Sequence, residues 1–200
     1  AEVDYYCCDD FMEAGHLLGV DYKARYGAMG YGFMSENYGR RMLILSGEEW
    51  EDGFSRADLH DLWHGELRRA VSSKVINRPV DEGMAYLYGG SWKIYDWKDI
   101  LKMMKDYHAA NPRADWLTLY KDGANLIPPP KIIRISYAIN ALIVRRLEKE
   151  KGFAASLPLL CCGPKEAGDA NYFAALRDVA GVDEAGFNAY IEGLLKDSVY

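Results

Sequence analysis

The stretch 55–71, SRADLHDLWHGELRRAV, and the stretch 77–90, NRPVDEGMAYLYGG, decide how this chain is read. Ser55 and Asp58 stand at the spacing of a capping box, with Asp in place of the usual Glu, so a helix is expected from there to about Val71. Pro79 suits the first turn of a second helix, and Gly89-Gly90 suits its end. Residues four apart on a helix lie one above the other. His60 and His64 therefore present two imidazoles on one side, flanking an apolar stripe of Leu59, Trp63, Leu67 and Ala70. A helix, a short turn and a second helix form an economical way to bring Glu82 back towards them.

Two imidazoles so placed can bind one metal ion without moving the backbone. Zinc in hydrolases usually takes three protein ligands and one water, and His₂Glu is a known set. His60, His64 and Glu82 are accordingly the candidate metal ligands. The histidine spacing alone is weak, because two structural histidines reproduce it. The helix cap and the D-E-G helix that comes after it strengthen it.

On either side of these two helices the pattern changes. Val3 to Cys8 and Arg40 to Ser46 read as strands, being β-branched, aromatic or aliphatic without breakers. Asp9 or Asp10 is placed to cap a short helix running to about Gly19. The glycine-rich run from Gly27 to Phe33 is not a dinucleotide fingerprint, because it does not sit between a strand and a helix. Downstream, helices are expected over about 97–110, 131–151, 169–180 and 183–196, with a proline-closed loop over 122–130. The outline is α+β: a small N-terminal mixed sheet with the histidine-bearing helix, then a mostly helical C-terminal part. We read it as a single domain over 1–200, with the sheet and site helices in 1–90 and a helical subdomain in 91–200.

Composition agrees with a globular chain of one domain: 200 residues, half of them hydrophobic. The net charge of −6, with only the dibasic spots Arg40-Arg41, Arg68-Arg69 and Arg145-Arg146, argues against nucleic acid as a partner. No apolar run approaches the ~18 residues of a transmembrane segment. Cys7, Cys8, Cys161 and Cys162 do not have metal-knuckle spacing. Free or buried thiols are the preferred reading, and one bridge between the two pairs stays open.

H-D-L-W-H followed by D-E-G-M-A-Y-L-Y-G-G resembles the H-E-x-x-H … E-G-x-A pattern of gluzincin (thermolysin-like) zinc metallopeptidases. Within them the chain is most similar to exported peptidases of Bacteroides-type bacteria, which share the D-Y-Y start, the glycine-rich stretch and a tail like 172–181. The resemblance implies a zincin-like fold, Zn²⁺ held by His60, His64 and Glu82, and a peptide or protein substrate. It also implies edge pairing of that peptide along Met42, Leu43 and Ile44, and a periplasmic or surface location. An oxyanion donor from a later helix is implied too. Tyr137 is the choice, with Tyr86 and Tyr88 as rivals, although any one of fifteen tyrosines can equally be a packing residue.

The departure from the pattern is Asp61, where the family has glutamate as general base. Aspartate is shorter by one C–C bond, about 1.5 Å. A misplacement of ~1 Å can cost on the order of 10²-fold in rate. The expectation is a weak peptidase, or a non-catalytic pseudo-peptidase that binds polypeptide or glycopeptide in the same cleft. A helical interaction domain without metal is the third reading. Glu66 and Asp81 are candidates to orient a ligand histidine, or ordinary helix charges. His16 and His108 read as structural. Trp50, Trp92, Trp97 and Trp116 suggest either a sugar platform or, more commonly, core.

Overall fold

The computed structural model describes residues 4–8, 16, 35–38, 41–45, 59–64, 76–91 and 94–198. Its contacts divide the chain into two compact units, Ala1–Ala70 and Val71–Tyr200. Helices dominate, and small sheets accompany them, so the chain is α+β.

In the first unit, β1 (Asp4–Cys8), β2 (Ser35–Tyr38) and β3 (Arg41–Leu45) form a mixed sheet in the order β1-β3-β2. β1 runs parallel to β3, from Asp4↔Arg41 to Cys8↔Leu45. β2 runs antiparallel to it, from Ser35↔Ile44 to Tyr38↔Arg41. β2 escapes a sequence reading because Ser35, Glu36 and Asn37 are poor strand formers; pairing with β3 supplies what propensity lacks.

This order corrects one expectation. Met42, Leu43 and Ile44 lie on the central strand, with ladders to β1 and β2 on its two sides. A peptide adding as a strand needs an open row of backbone donors and acceptors. β3 does not offer that row.

Helix α1 covers Leu59–Leu62, and Trp63 and His64 continue it with the wider π spacing. The expected apolar stripe is corrected in part. Trp63 is 2% exposed, but Leu59 is 54% exposed, so the buried face is centred on the tryptophan. The cap at Ser55, together with Glu66, Leu67 and Ala70, lies outside the described residues. So does the helix expected after Asp10, apart from His16, which is helical and exposed.

The second unit is helical: α2 (Arg78–Gly89), α3 (Trp97–Ala110), α4 (Trp116–Lys121), α5 (Ile135–Lys151), α6 (Leu157–Leu160), α7 (Ala170–Ala180) and α8 (Phe187–Asp197). A two-stranded ribbon, β4 (Asn125–Ile127) with β5 (Ile133–Arg134), leads into α5. α3 is capped reciprocally by Asp96 and Asp99. α5 is the hub. From Ile135 to Leu147 it buries residues around much of its circumference, among them Ile139, Asn140, Leu142 and Ile143. Such a helix has neighbours on several sides. α2 covers one side. On another, Tyr172 Oη donates to Asn140 Oδ1 at 3.0 Å, and Tyr120, Tyr172, Phe173 and Phe187 stack into an aromatic cluster.

The α2–α5 seam is tight because of Gly83. A Cβ there would lie 2.7 Å from Asn140 Cβ and 2.8 Å from both Tyr137 O and Ala141 N. The start of α2 is fastened by Asn77, whose N–H donates to Leu160 O at 2.8 Å and whose Nδ2 donates to Gly163 O at 3.3 Å. Among the described residues no helix is long and apolar enough to cross a membrane.

Alanine normally stabilises a helix relative to glycine by about 1 kcal/mol. At Gly83 the overlap with α5 backbone reverses the sign. Gly83→Ala is expected to destabilise by about 1–3 kcal/mol. Gly193→Ala in α8, where a Cβ meets nothing within 4 Å, is expected to stabilise by about 0.5–1 kcal/mol. Urea unfolding of the two variants checks both signs.

Candidate metal ligands

His60 and His64 are half-buried on α1 and its π continuation, on either side in sequence of the buried Trp63. Their Nε2 atoms lie 3.3 Å apart. The ring centroids are 4.9 Å apart with planes at 70°. Two nitrogens bound at about 2.0–2.1 Å to one tetrahedral ion stand about 3.3–3.4 Å from each other. The pair therefore has the separation that a shared ion requires. The same distance also allows one imidazole N–H to donate to the other ring. Asp61 belongs to the same helix; its side chain lies outside the described residues.

In the second unit, Glu82 sits one turn into α2, its side chain only 16% exposed. Arg78, one turn earlier, places Nε 3.4 Å from Glu82 Oε1. The close approach at Gly83 puts Tyr137 of α5 next to this carboxylate. Burial, then the negative charge of Glu82, push the Tyr137 phenol above its ordinary value near 10, against the pull of Arg78 and Arg134. The Arg134 guanidinium carbon lies 5.6 Å from the centre of the Tyr137 ring. Tyr86 meets Tyr137 edge-on, with centroids 5.7 Å apart, and accepts from the Arg134 backbone N–H at 3.4 Å. Burial pushes its phenol far up.

The structure thus brings His60 to His64 in one unit, and Glu82 to Tyr137 and Tyr86 in the other. Tyr88, the second rival for the oxyanion role, instead donates to Glu148 of α5. Asp81 is buried in the first turn of α2. His108 packs against Trp116, with ring centres 5.9 Å apart, as a structural histidine does. Trp116 is fully buried, so it belongs to the core rather than to a sugar platform, and Trp50 and Trp92 lie outside the described residues. Cys162 is a free thiol, and burial raises it to about 11. Sequence reasoning misses two residues beside Tyr137, Arg78 and Arg134. The i, i+4 spacing of Arg78 to Glu82 is the available signal for the first.

His60 and His64 in the first unit offer imidazole nitrogens and Glu82 in the second a carboxylate oxygen, donor types that a metal ion such as zinc accepts. A comparison with protein-family models finds no match, and comparisons with curated proteins and with solved structures find none.

The charges around Tyr137 set a sign. Removing the carboxylate of Glu82 removes a charge that opposes the phenolate. In the metal-free protein Glu82→Gln is expected to lower the Tyr137 pKa, while Arg134→Gln is expected to raise it. Ultraviolet tyrosinate titration, with the Tyr137→Phe protein as the difference reference, measures both.

Proposed function

We propose that this chain is a zinc-binding domain of the peptidase type, with a zincin-like arrangement and an impaired peptide-bond hydrolase activity. The observation that carries the metal reading is the 3.3 Å separation of the His60 and His64 Nε2 atoms, which fits two ligands of one tetrahedral ion. Glu82 supplies the third donor, and N₂O is a set that zinc accepts. The peptidase part rests on the H-D-L-W-H and D-E-G-M-A-Y motifs. The peptide or protein substrate and the exported location rest on that same resemblance.

Zinc, when bound, supplies a Lewis acid that acidifies water and polarises a carbonyl. The chain's own residues do the remainder. His60 and His64 would hold the ion with their imidazole nitrogens. Asp61 takes a proton from water and returns it to the leaving amine. The Tyr137 hydroxyl donates a hydrogen bond to the developing oxyanion. A phenol is protonated at neutral pH and so able to donate, and burial favours that form further. The short Asp61 side chain is the weak point, and it favours a second reading: a domain that grips a polypeptide at the same site without cutting it.

Metal content and zinc titration test the first part. Wild-type protein is expected to take one zinc per chain, and Glu82→Ala to bind it at least tenfold more weakly, since even an outer-shell partner of a zinc ligand is worth about 10–100-fold. Metal-free protein in both titrations removes the proposal. Asp61→Glu tests the second part. Turnover of an unstructured protein substrate is expected to rise by about 10²-fold; zinc bound with no gain favours the binding reading.

A further inference from the structure

Arg78 and Arg134 both reach Tyr137, the one at the start of α2, the other just before α5. Arg78 is 76% exposed at its side chain and engages Glu82 through Nε. A guanidinium carries five N–H donors in a planar fork, so beyond Glu82 and Tyr137 Arg78 has donors left for other acceptors. Arg134 is exposed and lies against the Tyr137 ring, an arrangement that leaves the N–H edges of its guanidinium open to an anion. Among the described residues no carboxylate is within ion-pair distance of Arg134. Among those same residues Glu82 is thus the one carboxylate within ion-pair distance of Arg78, and in the proposed function it serves a metal ion.

We infer that Arg78 and Arg134 form a carboxylate-binding subsite around Tyr137, and that the peptide this domain takes presents a carboxylate there. The placing of that subsite beside the reacting bond rests on the metal reading of Glu82. The two guanidiniums and Tyr137 are one structural unit and do not. Planar, bidentate recognition of a carboxylate is what arginine does better than lysine. The carboxylate comes either from the C-terminus of a peptide or from an acidic side chain.

Three acetylated tripeptides separate the sources: trialanine with a free carboxylate, trialanine amide, and Ala-Asp-Ala amide. Binding is measured by calorimetry on zinc-loaded wild type and on metal-free Glu82→Gln. The second protein excludes direct carboxylate binding to zinc, and decides the inference even if the wild type takes no metal. At least one carboxylate-bearing peptide is expected to bind about tenfold tighter than trialanine amide in both proteins, a gain limited by solvent exposure. The free acid alone marks a C-terminal subsite, the aspartyl peptide alone a side-chain subsite. Arg78→Gln and Arg134→Gln, both surface changes, are each expected to remove most of the preference, whereas Arg→Lys at either position restores only part of it. Equal affinity for all three peptides, no binding of any, or a preference that survives both Gln variants overturns the inference.

Discussion

The second unit depends on how closely α2 approaches α5. Gly83 leaves no room for a methyl group against Asn140 Cβ, Ala141 N and Tyr137 O, so the two helices meet backbone to backbone. Packing at this density transmits small changes. Glu82 precedes Gly83, and Tyr137 supplies one of the atoms on the other side. The contact that closes the core therefore also sets a carboxylate beside a phenol. Asn140 extends the seam to α7. Its amide donates to Ser136 O at 2.8 Å and accepts from Tyr172, which satisfies a buried polar side chain that would otherwise be costly.

That carboxylate is in a mixed electrostatic setting. Arg78 pairs with it, Arg78 and Arg134 both favour charge on the neighbouring Tyr137, and burial works against that charge. A phenol held protonated can donate a hydrogen bond, and guanidiniums nearby can accept an anionic group. The histidine pair has a different origin. Its 3.3 Å separation joins residues four apart on a helix that is continued through the π spacing at Trp63 and His64. π turns within helices occur often at functional positions.

Local signals located the long helices. In the structure Asp96 and Asp99 cap α3, and Gly152 and Gly181 stand at the C-terminal caps of α5 and α7. Short elements escaped. α4 has six residues and α6 four, too short to show a period. The β4–β5 ribbon lies partly in what reads as a proline-closed loop, and α5 starts at Ile135 rather than near Lys131. Of the candidate site, His60, His64 and Glu82 could be named from spacing and motif, and Tyr137 only as one choice among three tyrosines that the resemblance implied. Arg134 stands three residues before Tyr137, a local spacing, but its place at the N-cap follows from the ribbon that delays the start of α5 to Ile135.

Periodicity and covalent length are properties of the chain alone. They account for two imidazoles on one helix, a carboxylate on the next, an aspartate one carbon short at position 61, and an α+β division of the residues. Three features needed the folded molecule: which strand is central, which face of α1 is buried, and which tyrosine stands beside Glu82. Helix spacing repeats every few residues and is carried locally. Strand order and the closeness of α2 to α5 depend instead on contacts between residues far apart in sequence, where a single missing Cβ at Gly83 sets the distance.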